Sequence, residues 1–492
     1  MSWIAVVRLG VRIVLVATFC LVSPAARAAD EAQRLTLADA VREALQRNER
    51  LVNQRDTTEQ AVLGLRLARD EFRPKIVPNV LGSFGQTDIN SQTYRVDVAQ
   101  RFTTGSEFRI GIGTATSQIP AIVGQVGDDI HFYNADTTLS FTQPLLRGFG
   151  SAVARRPLAA AELRRSDADR QQLIAEQQIA VEVASAYYRV AAQQSLIDVA
   201  QKSLERSRKL REASEAKLGA GLVSQLDVLR AQQLVAQAEI QLFDAQTAAD
   251  DARDHLSVLM GREAGGRIEV EATIPTAAAQ EISNEDAVGA ALEHRLDLRS
   301  ATALAADADR QISFAKNQLL PQVDVNFVYT RRETADTFAG SFGIDRYRFA
   351  TFFTISSPID RTAQIVDYQN AVIDRNRRRR EVDTMRRRIV EDVQRGLRSR
   401  DRWRRLVAAA ETAVTLSRRE VDVAQLRYER GLSNNLDVVT AEGNLLSAES
   451  RLSGARADSA VADLTLRALI GTLDPRADLA GSAPDSSVTA PR

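Results

Sequence analysis

Along most of the chain, apolar residues recur at steps of three and four, as in Leu196, Val199, Ala200 and Leu204, or Leu406, Ala409, Ala410 and Val414. That period predicts helices with one buried stripe, the seam of a coiled coil or bundle. Proline is absent from Leu158 to Ile274 and again from Ile359 to Asp474, stretches of 117 and 116 residues. Proline breaks helices, so such gaps permit very long ones. In two other windows the period drops to two. Tyr94, Val96 and Val98 alternate with Arg95 and Asp97, Phe108, Ile110 and Ile112 with Arg109, Gly111 and Gly113, and Val323, Val325, Phe327 and Tyr329 with Asp324 and Asn326. This alternation predicts strands, either of a half-buried sheet or of a membrane barrel.

The pattern is written twice. A shift of 210 residues carries Gly221, Leu222, Leu226, Asp227 and Val228 onto Gly431, Leu432, Leu436, Asp437 and Val438. A shift of 247 carries Thr36, Asp39, Ala40 and Pro74 onto Ser283, Asp286, Ala287 and Pro321. Ungapped matches that include Gly, Asp and Pro indicate an internal duplication. Each half opens with a helix capped at Thr36-x-x-Asp39 or Ser283-x-x-Asp286 and stopped by Pro74 or Pro321. Strands follow to Pro144 or Pro358. A long helix then spans about 152–218 or 362–428, and at 1.5 Å per residue such a helix of about 67 residues is roughly 100 Å long. A turn at 219–223 or 431–433 reverses the chain into a return helix ending at Gly261 or Gly471, good C′ residues. Ser224-x-x-Asp227 and Asn434-x-x-Asp437 read as capping boxes after the two turns.

Composition first suggests an ordinary soluble protein: 492 residues, 64 basic and 64 acidic, with 26 aromatics. However, 17 of those aromatics fall in 72–144 and 314–353, the two strand windows. The balanced charge argues against nucleic-acid binding. No apolar run beyond residue 24 approaches the 18–20 residues of a spanning helix, which excludes a polytopic helical membrane protein but not a barrel. Residues 1–28 carry Arg8 and Arg12, an apolar run and Ala26-Arg27-Ala28, and read as a signal peptide. Its removal takes away Cys20, leaving a mature chain without cysteine, and so without disulfides.

The chain resembles the TolC-like outer membrane efflux protein family at Leu35–Ala40, at Phe141-Thr142-Gln143-Pro144-Leu145-Leu146-Arg147-Gly148-Phe149-Gly150, and at the turns Gly219–Val228 and Arg430–Val438. The resemblance covers about 31–473. It implies an α+β fold, mainly α, in which internally duplicated antiparallel helical hairpins form an α-barrel continued by a transmembrane β-barrel, completed by trimerisation. The expected organisation is a first repeat over 29–261 with strands at about 76–144, a linker at 262–282, a second repeat over 283–473 with strands at about 322–358, and a disordered tail at 474–492. The family commonly supplies two strands per half and twelve per trimer. Here four alternating segments, near 76–86, 92–102, 106–116 and 131–144, precede Pro144. Eighteen strands per trimer and a wider bore are expected if 92–116 joins the wall, and a lid or periplasmic hairpin if it does not.

The resemblance further implies an exit duct of a tripartite efflux pump or type I secretion system, exported to the outer membrane of a Gram-negative cell and reaching into the periplasm. The expected partners are two further copies of the chain, a periplasmic adaptor, an inner membrane transporter and outer membrane lipid, with no nucleic acid. Gly221, Leu222, Ser224, Gly431, Leu432 and Ser433 are the expected adaptor contacts at the helical tips. Glycine there serves the turn and also lets a partner helix approach closely. Asp227 and Asp437 are expected to cap their helices, and to ring and constrict the tunnel. Thr440 stands where some relatives carry a second acid, and Ser433 where some carry a basic latch. His131, His255 and His294 are isolated, no nucleophile or phosphate loop stands out, and neither catalysis, a cofactor nor a metal is expected. Fourteen arginines lie in 375–405, interleaved with acids at helical ion-pair spacing, which reads as a solvated helix face more readily than as a basic belt inside the tunnel. The alternative of another class is a periplasmic helical-hairpin adaptor or scaffold without a membrane barrel.

Overall fold

The computed structural model describes residues 35–82, 90–119, 130–266, 268–271, 274, 282–343 and 347–479. The signal segment 1–28 lies outside the described residues, as does most of the linker between 272 and 281. The elements run α1 (Leu37–Arg47), α2 (Glu49–Asp70), β1 (Lys75–Gly82), β2 (Asn90–Arg101), β3 (Glu107–Ile119), β4 (Ile130–Pro144), α3 (Ser151–Ala154), α4 (Arg156–Gly219) and α5 (Gln225–Leu259) in the first half. The second half holds α6 (Asn284–His294), α7 (Leu296–Gln318), β5 (Gln322–Ala335), β6 (Tyr347–Ser356), α8 (Thr362–Glu429) and α9 (Asn435–Ile470).

The duplication is visible in matched junctions. Gly221 and Gly431 have φ of +71° and +72°, and Leu222 and Leu432 donate N–H to Lys217 and Arg427 carbonyls at 2.9 and 2.8 Å. This left-handed closure returns the chain after each long helix. Gly261 and Gly471, at φ +77° and +80°, end the return helices against the ends of α1 and α6. A Cβ on Gly261 would stand 2.6 Å from the Arg47 carbonyl oxygen.

Three expectations are corrected here. The single opening helix of each half is two helices. Asn48 (ψ 125°) breaks the first half and caps α2, accepting from Arg50 N while its amide donates to the Leu259 carbonyl at 2.8 Å. Arg295 (ψ 122°) breaks the second and is tied to Asp297 and Asp392. The long helix of the first half starts later than expected, at Arg156, with the short α3 before it and Pro157 accommodated in its first turn. The expected tail opens with a defined turn: Pro475–Leu479 is π-helical with Pro475 and Leu479 buried, and Arg476 reaches the buried Glu176 at 3.0 Å, while 480–492 lie outside the described residues.

Two broken helical columns flank two unbroken ones. Along α4, α2 covers the first part, where Arg50 pairs with Glu182, and α5 covers the second, where Arg208 pairs with Glu239. Along α8, α7 and α9 do the same, through Arg379–Asp309 and Arg418–Glu449. α9 also packs on α4, joining the halves: Ser453 donates to the Ala192 carbonyl at 3.1 Å. The main core lies at this waist, where Ile179, Val183, Tyr187 and Val190 of α4 meet Val41 and Leu45 of α1 and Leu256 of α5. Linker residues Ile268 and Val270 are buried there, and Val270 forms a parallel bridge with Leu35. Several arginines of α8 are held in ion pairs, among them Arg377 and Arg378 with Glu381, Arg395 with Glu391, and Arg404 with Asp463.

All six strands form one antiparallel sheet in chain order. The segment 92–116 therefore lies inside the sheet, between β1 and β4, rather than folding apart. Its turn at Thr103–Ser106 closes with Phe102 N on the Ser106 carbonyl at 2.9 Å and sits on the β4–α3 connection, where Gly150 N donates to Thr104 O. Gly105, at φ +95°, has no room for a side chain, because a Cβ would meet the Gly148 carbonyl oxygen at 2.5 Å.

Candidate functional site

The register gives the sheet two chemically distinct faces. One row crosses all six strands as Ile76, Val98, Ile110, Leu139, Tyr329 and Phe349. The next row holds Phe108, Phe141 and Phe327. On the opposite face, one row reads Asn79, Arg95, Gly113, Asp136 and Arg332, and its neighbour Asp97, Gly111, Thr138, Thr330 and Arg348. Six strands with one apolar and one polar face fit a membrane barrel wall. The outer edges of β1 and β6 have no partner strand within the protomer among the described residues, and Ile76, Val80, Phe349 and Phe353 on these edge strands are all more than 65% exposed. Open apolar edges of this kind demand a covering strand. Among the described residues no helix is long and apolar enough to cross a membrane.

The far ends of α4 and α8 carry the tips. Leu222 and Leu432 stand at corresponding places, each 73% exposed beside a positive-φ glycine whose Cα faces open space. Ser224 and Asp227 form the expected reciprocal capping box: Asp227 N donates to Ser224 Oγ at 3.3 Å, and Ser224 N to Asp227 Oδ2 at 3.1 Å. The second tip departs from this. Asn434 accepts from Leu436 N at 3.1 Å, two residues on, so Asp437 is not used as a cap. Asn434 closes the shorter side-chain turn before a box with Asp437 can form. Asp437 is left exposed, without an ion pair or side-chain hydrogen bond among the described residues, whereas Asp227 lies 3.8 Å from Arg230. Ser433 is half-buried and its hydroxyl has no partner among the described residues.

Sequence reasoning passes over the contacts that join the two tips. Asn435, fully buried, donates its amide to the Asp227 backbone carbonyl. Tyr428 is buried and its hydroxyl lies 2.8 Å from Ser214 Oγ, while the Lys217 ammonium sits 4.0 Å above the ring and donates to the Tyr428 carbonyl. The second asparagine of Asn434-Asn435, an amide at a helix start where only one cap is needed, is the available signal. Higher up, Glu442 of α9 accepts from Arg206 of α4 at 2.7 Å and from Gln425 of α8 at 3.2 Å. Burial pushes its carboxyl above the ordinary range, against the pull of Arg206. Among the described residues no group of three or more His, Cys, Asp or Glu could hold a metal ion.

These features meet in known channels. The chain is 25% identical over 425 residues to the probable efflux pump outer membrane protein SepC of Pseudomonas putida, covering 82% of this chain and 84% of that one. The toluene efflux pump outer membrane protein TtgF of a second Pseudomonas putida strain matches to the same extent. Among solved structures, the fold is similar to CusC (TM-score 0.67, 14% identity, 88% of this chain and 92% of that one). It is also similar to VceC of Vibrio cholerae (TM-score 0.67, 18% identity, 88% and 96%). The family model for outer membrane efflux proteins matches residues 113–262 and 287–472, one stretch in each half, and displaces the adaptor alternative. The chain belongs to the outer membrane efflux protein family and is a TolC-like outer membrane channel component of an efflux system.

Proposed function

We propose that the protein is the passive exit duct of a tripartite efflux pump or type I secretion system, assembled as a homotrimer. The observation that carries this reading is the six-stranded sheet, apolar on one face and polar on the other, with both edge strands open. Pairing β6 of one protomer with β1 of the next covers every edge and gives an eighteen-stranded barrel, wider than a twelve-stranded one. The unbroken α4 and α8, with their broken partners, continue the wall as a helical tunnel through the periplasm. An inner membrane transporter supplies the energy.

At the tips, Leu222 and Leu432 beside Gly221 and Gly431 suit docking of an adaptor's helical hairpin, with Ser224 and Ser433 at the contact rim. Three copies of Asp227 and Asp437 ring the tunnel end. Of the two, Asp437 is the freer to meet passing cations, since Asp227 is engaged in its cap and near Arg230. Residues 1–28 direct export.

Fractionation tests the reading. Recovery from outer membranes as a trimer that dissociates on heating supports the duct, and recovery as a soluble periplasmic protein overturns it.

A further inference from the structure

The polar face of the sheet contains a built charge cluster in the hairpin that this chain adds. Arg95 of β2 donates Nε to Asp97 Oδ1 at 2.8 Å and Nη1 to Asp136 Oδ2 of β4 at 2.8 Å. To reach β4 it crosses β3, which carries Gly111 and Gly113 beneath it. A Cβ on Gly111 would stand 2.2 Å from Arg95 Nη2, and one on Gly113 would stand 3.4 Å from Arg95 Cγ. The two glycines are therefore a cradle in which the side chain lies flat. Asn79 of β1 donates to Asp97 Oδ2 at 3.0 Å, so one network ties β1, β2 and β4 together across β3.

We propose that Arg95 sets the ionic character of the barrel lumen, as a filter separate from the helical tips; this rests on the reading that the polar face lines the channel. Each protomer brings two carboxylates to this band and one guanidinium locked between them. Flattening on the glycines keeps the bulky cation out of the passage while it offsets both acids. Without it, the six carboxylates of a trimer are offset only by Arg332, which faces Asp136 in register, and by Arg348 in the neighbouring row, and cations, including cationic amphiphiles, are drawn more strongly to the wall at the expense of anions. The cluster runs from β1 to β4, with Arg95 and its glycine cradle in the β2–β3 hairpin.

The mature chain has no cysteine, which permits a direct test in intact cells. Thr138→Cys places a thiol on the polar face two residues from Asp136, and Leu139→Cys places one on the apolar face. Each is treated from outside with a cationic and an anionic thiosulfonate of equal size. Thr138→Cys is expected to react and Leu139→Cys not to. Adding Arg95→Gln should raise the cationic-to-anionic rate ratio at Thr138→Cys about threefold at 0.1 M salt, the size expected for one unit charge removed at about 7 Å and partly screened. Arg95→Lys should restore most of the native ratio, and 1 M salt should erase the difference. Gly111→Ala, which dislodges the guanidinium rather than deleting it, should slow both reagents. A Thr138→Cys thiol that reacts with an unchanged ratio in Arg95→Gln overturns the proposal alone. Reaction at Leu139→Cys with protection at Thr138→Cys overturns the lumen reading itself.

Discussion

Arg206 of α4 and Glu442 of α9 pair at 2.7 Å across the junction of the two halves, and the carboxylate is almost fully buried. The pair lies where α8 also contributes, through Gln425. Glu442→Ala leaves a guanidinium partly buried without its acid, and should cost about 3 kcal/mol in chemical or thermal unfolding. Glu442→Gln, which keeps the shape, should cost less.

The same carboxyl gives a pH dependence. Burial raises its folded-state pKa above the ordinary 4.5, so the native protein holds a proton that the unfolded chain has released. The stabilisation is complete below 4.5 and fades as pH rises through the raised value. As the pH rises above 4.5, the stability of the native protein should therefore show a declining component that Glu442→Gln removes.

Tyr428→Phe deletes the hydroxyl that faces Ser214, whose side chain is fully buried. An orphaned buried hydroxyl should cost about 1–2 kcal/mol. Since the pair ties α4 to α8 close to the tip, the trimer should also conduct more in planar bilayers. Unchanged conductance would confine the pair to a packing role.

The tip acids should separate. Asp227→Ala loses a reciprocal capping box and should destabilise by about 1 kcal/mol. Asp437→Ala loses no such bond and should leave stability unchanged while raising single-channel conductance or lowering cation preference. If both readouts stay at the native level for Asp437→Ala, the constriction does not lie there.

Two positive-φ glycines of the first half should separate as well. Gly261→Ala meets the Arg47 carbonyl and a left-handed backbone together, and should cost more than about 2 kcal/mol. Gly221→Ala meets only the backbone strain, about 1 kcal/mol. A Gly221→Ala trimer that folds yet no longer supports efflux identifies the glycine as a docking surface.

Periodicity, proline spacing and duplication make the long helices, their turns and all six strands legible, because each is fixed by local pattern. Asn48 and Arg295 do not read as breaks, since the apolar stripe runs on across them and the cause is tertiary: Asn48 spends its amide on Leu259 of another helix. The ordered turn at Pro475 escapes for the same reason, its anchor being Glu176, 300 residues away. At the tips, matching Asp227 with Asp437 is sound as alignment and misleading as chemistry. One substitution, Asn434 for Ser224, redirects the cap to Leu436 and frees the acid.

Two of the four helical columns are continuous from the sheet to the tips. α4 and α8 are rods of 64 and 68 residues, roughly 96 and 102 Å at 1.5 Å per residue. Their companions are interrupted at the waist, where Gly261 abuts Arg47 and Gly471 abuts His294. A load applied at the tips is thus carried upward by α4 and α8 alone, because α5 and α9 each end at the waist.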